Sequence, residues 1–260
     1  MIRSLLKNIY KLPSKIQINF STYITIIISL LINRHRLLFL QFLIAFIHEL
    51  FHCIGAFIFK LNINKLVMLP FGFYADIDNL YSIKWYQELI IIILGPLSYL
   101  ISSIIINLLF INNSISLTLF NEIKETNLLI LIFNLLPIFP LDGYRIIKIL
   151  LGTKFSEKKV LKIMNIISLF FTSILLIYCI FNSQLFIISF LIFNQIVMIK
   201  SFKNTYKKFL VSKTKGLNLK RYKIHFIEDL YRPFNNIVIN NNKVYSEEEF
   251  SLYLIKKNLK

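Results

Sequence analysis

Apolar stretches of membrane-crossing length recur along the first two hundred residues, and no other sequence feature constrains the fold as strongly. A helix needs about 20 apolar residues to cross the hydrocarbon of a bilayer. Six stretches meet or approach that measure: Phe20 to Ile32, Leu37 to Phe59, Leu89 to Ile111, Asn127 into FNLLPIFPLDG, Ile163 to Phe181, and Leu185 to Ile199. Hydrophobic residues make up 56% of the chain and its mean hydropathy is +0.65, values that exclude an ordinary soluble protein. The fourth stretch is interrupted by Pro137 and Pro140. Each removes a backbone donor and disfavours helix at the residue before it, so the span should break at membrane depth, where the freed backbone must face protein or water.

The net charge of +17 is topological rather than a nucleic-acid signature, because the lysines and arginines cluster beside the apolar spans. Six crossings put both termini on one side. Arg3, Lys7, Lys11 and Lys15 before the first span, the run from Arg145 to Lys162, and the basic tail assign that side to the cytoplasm, while Arg34 and Arg36 in NRHR oppose it. The N-terminal segment lacks the long apolar core and small-residue cleavage site of a removable signal peptide. Cys53 and Cys179 lie inside apolar runs and carry no redox information.

Between the second and third spans, KLVMLPFGFYADIDN either forms a short hairpin about Pro70 to Gly72 or runs as a plain loop. Composition turns soluble after Lys203. There IVINNNKVY reads as two strands with an Asn-rich turn, and SEEEF starts a helix with Ser246 as N-cap and Glu249 in the reciprocal position. The expected architecture is an α-helical polytopic membrane protein of about six transmembrane helices, with the hairpin near the active site. Residues 1–202 form the membrane domain and 203–260 a small α+β cytoplasmic domain.

The chemistry is concentrated in HELFH, residues 48–52, in the middle of the second span. Residues four apart on a helix are neighbours, so His48 and His52 can offer two imidazole nitrogens to one zinc ion. Glu49 is turned about 100° from His48 and lies beside such an ion, where a general base for water belongs. The bland alternative is a pair of core histidines satisfied by hydrogen bonds, but three adjacent ionisable groups would then all need partners inside lipid. Catalytic zinc usually takes three protein ligands. Asp142 is the best candidate for the third, since the break after Pro137, about 16 Å into its span, brings the chain to the level of His52, about 12 Å from the end of its own. Asp142 as a plain loop residue is the alternative.

HELFH in one span with FNLLPIFPLDG in a later one resembles the site-2 protease family of intramembrane zinc metalloproteases. The short form, with MLPFG after the first motif and Gly95–Pro96 beyond it, is similar to the sporulation branch of that family. The likeness is carried by motifs over residues 37–150 and by hydropathy in the outer spans. It implies His48, His52 and Asp142 as ligands of one zinc per chain, Glu49 as general base, and Asn134 and Pro140 as residues near the substrate. The tail resembles half of a CBS module, which implies a nucleotide as its ligand. The implied substrate is a membrane-associated protein such as a sigma factor precursor, with inhibitory membrane partners; self-association stays open, and no direct nucleic-acid contact is expected. The competing class is a metal-binding membrane protein without peptidase activity, either a transporter or an inactive scaffold. Transport favours several ionisable residues along a path through the spans, and outside the proposed site these spans hold almost none. Four histidines are too few for the several clusters of a di-iron desaturase.

Overall fold

The structure, a computed structural model, describes residues 16–258 apart from 71, 79, 182–184, 215–218, 220–221, 226–228 and 241–242. Arg3, Lys7, Lys11 and Lys15, the N-terminal segment weighed as a signal peptide, and the centres of both hairpin turns lie outside the described residues. The chain divides into two compact units, one built from residues up to 80 with 90–134 and the other from 81–89 with 135 onward.

The first unit opens with β1 (Ile16–Ile18) and α1 (Phe20–Leu31), the latter capped by the Asn19 side chain accepting from Ser21 N. α2 (His35–Ile58) carries the HELFH motif. β2 (Ile63–Leu69) and β3 (Gly72–Ile77) follow as an antiparallel pair, so the hairpin reading is the correct one. β1 adds to β2 in parallel, Ile16 opposite Leu66, and the sheet order is β1-β2-β3. Nothing in the sequence pattern points to β1, because a three-residue strand has no periodicity to read. β3 lies against α2, where the Phe73 ring meets Phe46 and Phe42 edge to face at 5.2 and 6.1 Å. Gly72 is required there: its φ is +148°, and a Cβ would stand 3.1 Å from Ala45 Cβ.

α3 (Trp85–Ile111) runs straight through Pro96. It approaches α2 closely at Gly55, where a Cβ would come within 3.0 Å of Ile91 Cα. α4 (Leu117–Leu135) is tied to α3 by Asn127, whose amide donates to Tyr99 O and Ser103 Oγ. α4 begins ten residues before the apolar stretch does, because NEIKET continues a helix without contributing hydropathy.

In the second unit, α5 (Asp142–Gly152) starts after the break, and α6 (Glu157–Phe181) lies against α7 (Leu185–Thr214). The interruption expected at the prolines is therefore present, from Leu136 to Leu141. α7 continues to Thr214, well past its apolar limit at Ile199, since lysine is a good helix former. β4 (Tyr222–His225), β5 (Asn235–Asn240) and β6 (Lys243–Tyr245) form a second sheet in that order, parallel then antiparallel, and α8 (Glu247–Asn258) closes the described chain. The capping box is formed: Glu249 N donates to Ser246 Oγ and Ser246 N to Glu249 Oε2. The core of this unit joins Leu161 of α6 and Phe209 and Leu210 of α7 to Leu230, Val238 and Phe250 of the tail.

Among the described residues, three helices are long and apolar enough to cross a membrane: α2, α3 and α6. α1 is apolar but has only twelve residues, about 18 Å of helix against about 30 Å of hydrocarbon. One side of α3 presents Leu100, Ile104, Leu108 and Ile111, all exposed, as a lipid-facing surface would. The protein is a membrane protein.

Candidate active site

In the first unit, His48 and His52 stand on adjacent turns of α2, both buried, with ring centroids 4.9 Å apart and planes at 85°. His52 Nδ1 lies 2.9 Å from Ile91 O on α3. A carbonyl only accepts, so Nδ1 carries the proton and Nε2 presents a lone pair. That lone pair faces His48 Nε2 at 3.3 Å. In the tautomer with both Nε2 atoms bare, a cation between them turns repulsion into attraction.

Opposite the rings, α3 supplies Gly95. A Cβ there would fall 2.2 Å from His52 Cε1, 2.3 Å from His52 Nε2 and 3.0 Å from His48 Cε1. Only glycine leaves room for two imidazoles against this helix. Glu49, half-buried, accepts a 2.6 Å hydrogen bond at Oε1 from Ala75 N on β3. β3 is an edge strand, whereas β2 is central. Among the described residues no strand pairs with the outer edge of β3, and the Ala75 amide there is taken by Glu49.

In the second unit, Asp142 is 5% exposed and is the first residue of α5, where the helix dipole favours a carboxylate. Arg145 Nη1 lies 3.9 Å from its Oδ1. Gly143 lets the chain double back: a Cβ would collide with Leu135 O at 2.0 Å and Leu136 O at 2.6 Å. The broken stretch is held by Ser168 of α6, whose Oγ accepts from Phe139 N at 3.0 Å and donates to Gln195 Oε1, while Gln195 Nε2 donates to Thr172 Oγ1. Pro140 is exposed and follows a cis peptide bond. Asn134, in the last turn of α4, donates its amide to Ile130 O in its own helix.

His48 and His52 of the first unit, and Asp142 of the second, are each buried side chains of the types that hold a metal ion. The two imidazoles and one carboxylate suit zinc, and the Gly95 cradle matches the fit such a centre needs. Sequence reasoning does not anticipate the Ile91 carbonyl, the Ala75 amide or the Ser168–Gln195–Thr172 ladder. Gly95 had a signal in its place before Pro96 inside an apolar span.

Residues 112–175 match the peptidase family M50. The chain is 33% identical over 160 residues to a zinc metalloprotease of Methanocaldococcus jannaschii, covering 58% of this chain and 46% of that protein. It is 30% identical over 145 residues to stage IV sporulation protein FB of Bacillus subtilis, covering 56% of this chain and 50% of that one. The chain thus spans about half the length of the curated relatives it matches. The solved site-2 protease from Methanocaldococcus jannaschii superposes with a TM-score of 0.57 at 27% identity, over 71% of this chain and 89% of that one. Together with the motifs and the geometry of α2 and α3, these likenesses show a stretch similar to peptidase family M50 in a chain with a fold like that of a site-2 protease.

Proposed function

We propose that the chain is an intramembrane zinc metalloendopeptidase that cleaves a membrane-associated protein in or near its membrane segment. The observation that carries this reading is the glycine-lined pair of imidazoles with Glu49 beside it. His48, His52 and Asp142 would hold one zinc per chain. Bound there, zinc would supply Lewis acidity, lowering the pKa of a water molecule toward 7 and favouring negative charge on the scissile carbonyl oxygen. Glu49 receives the proton released from water and returns it to the leaving amine. Its Oε1 is fixed by Ala75 N, which leaves Oε2 for that transfer.

A helical substrate hides its carbonyls in its own hydrogen bonds, so it must be extended before cleavage. The outer edge of β3 can pair with such a segment by strand addition. Asn134 can offer its amide to the extended chain by exchanging the bond to Ile130 O, and the exposed Pro140 lies on the broken stretch beyond it. A sigma factor precursor is the substrate that the likeness to the sporulation protein suggests, with inhibitory membrane proteins as regulators. About six crossings, cytoplasmic termini and a division at 202/203 belong to the same proposal, supported by hydropathy and charge distribution. The order of β5, β6 and α8 supports reading the tail as half of a CBS-like module, whose ligand would be a nucleotide.

The test separates chemistry from metal binding. Glu49→Gln keeps side-chain size and both histidines, so the purified protein should retain one zinc while cleavage of a co-expressed membrane-tethered sigma factor precursor falls about 10²- to 10⁴-fold. His48→Ala and Asp142→Ala should lose zinc by elemental analysis. Undiminished cleavage by the Glu49→Gln protein would sink the mechanism, and full zinc in either ligand variant would remove that residue from the centre. Metal bound or moved without peptidase activity in the wild type would favour the transporter or scaffold reading.

A further inference from the structure

The buried charges of the second unit converge on one tail residue. Arg232 is 6% exposed; its guanidinium is ion-paired with Glu88 in the first turn of α3 and stands 5.1 Å from the centroid of the Tyr81 ring. Tyr81 donates its hydroxyl to Glu157 Oε1 at 2.9 Å. Burial, and then the Glu157 charge, push the Tyr81 pKa up and keep that proton in place. Lys148 of α5 reaches both the Tyr81 hydroxyl and Glu157, the latter at 3.3 Å.

The residues around Arg232 are tied to the same elements. Leu230 O accepts from Glu157 N at 3.1 Å, and Ser156 Oγ donates to Asp229 Oδ2 at 3.0 Å. Lys213 at the end of α7 donates to Arg232 O. Residues 229–232 therefore hold the start of α3, the start of α6 and the end of α7, and through Glu157 they reach α5.

Two of these helices carry elements of the proposed centre. Glu88 stands three residues before Ile91, whose carbonyl orients His52, and seven before Gly95, which makes room for its ring. Lys148 stands six residues after Asp142 on α5. An α-helix transmits an axial shift or a rotation over one or two turns with little loss, because every residue is hydrogen-bonded to the turn before it. Misplacing a ligand or a base by 1 Å is enough to cost about two orders of magnitude in rate.

We infer that Arg232 is a positioning residue for the metal centre, a buried pin through which the C-terminal segment sets the start of α3 and thereby the Ile91 carbonyl and Gly95 that seat His52. The C-terminal segment is then a working part of the membrane domain, and whatever displaces it slackens the site. The catalytic half of this inference rests on the function proposed above; the pinning of α3 does not.

The experiment compares full-length wild type with Arg232→Met and with the pair Glu88→Leu/Arg232→Met, which removes the pin without leaving a buried charge unpaired. Backbone hydrogen exchange is followed at 85–95, 142–150 and 235–258, together with the rate of zinc loss to a chelator and the kcat and KM for cleavage. A pin predicts that the double variant exchanges roughly tenfold faster at 85–95 and loses zinc faster by a similar factor. It should also show a lower kcat at little-changed KM, while 235–258 stay protected. Wild-type exchange at 85–95 in the double variant overturns the inference, and so does loss of protection confined to 235–258, which would make Arg232 a fastener of the tail alone. Should wild type hold no zinc, the metal reading fails, yet exchange at 85–95 still decides whether α3 is pinned. If Arg232→Met does not fold, exchange in the double variant decides by itself.

Discussion

Both units bury polar side chains, and they treat them differently. Around Arg232 and Lys213 three buried or half-buried cations are matched by counter-charges: Arg232 with Glu88, Lys213 with Glu247, Lys148 with Glu157. In α2 two imidazoles face each other across 3.3 Å, one of them held by Ile91 O, against a helix that leaves room for them by having no side chain at Gly95. A buried charge needs its partner within the fold, because taking an ion out of water costs more than any single contact returns. A ligand pair needs the reverse, a space that the fold keeps open. Paired regions should therefore answer to loss of a partner with loss of stability, and the histidine pair should answer to added bulk with loss of metal.

The largest effect is expected where pairing is tightest. Lys213 is buried, contacts Glu247 Oε1 at 2.6 Å and donates to the carbonyls of Arg232 and Phe234. Lys213→Met should destabilise the protein by about 3–5 kcal/mol, and adding Glu247→Leu should recover part of that. Thermal unfolding in detergent measures both, and a stability unchanged by Lys213→Met would break the contrast.

Gly95→Ala sets the opposite case. The new methyl has no room beside His52, so zinc content should fall below one per chain and cleavage drop about 10²-fold through misplacement of the ligand. The unfolding temperature should move less than in Lys213→Met. Full metal content with an intact fold would show that the rings can retreat from α3, and the cradle would lose its meaning.

Ser168→Ala sharpens the comparison inside the second unit, where a neutral hydrogen bond rather than an ion pair holds the broken stretch. Leaving Phe139 N without its acceptor should cost about 1–3 kcal/mol. Faster hydrogen exchange at 136–142 would accompany it, whereas unchanged exchange there would mean that the prolines alone shape the break.

The smallest effect concerns pH. Burial lowers the His225 pKa below its ordinary 6.5, against the opposing hydrogen bond to Asn236. The unfolded chain then takes up the proton at higher pH than the folded one. The stability tied to neutral His225 is present above that ordinary value and is lost as pH falls through it. Protection at 222–225 and 235–240, taken relative to the intrinsic amide rate at each pH, should fall on going from about pH 7.5 to about pH 5.5, and His225→Gln should flatten the change. A wild type with no such fall in protection would place the proton elsewhere.

The parts legible from sequence are those governed by local geometry. His48 and His52 share a helix face because four residues make about one turn. The span breaks at Pro137 and Pro140 because proline lacks a donor, and Ser246 with Glu249 caps α8 because its first amides need acceptors. Each follows from residues within a turn or two of one another. Element limits were less legible where hydropathy stood in for helix propensity, as at Leu117 and Thr214. Strands β1 and β4 gave no pattern, since a strand of three or four residues exists through the neighbour it pairs with. The contacts that make the site specific join residues dozens of positions apart: Ile91 O with His52, Ala75 N with Glu49, Gly95 with both imidazoles, Arg232 with Glu88. The sequence supplied each of these residue types without its counterpart, because whether a carbonyl, an amide or a vacant Cβ position meets a given ring is decided by how helices and strands pack, and no local rule encodes that distance.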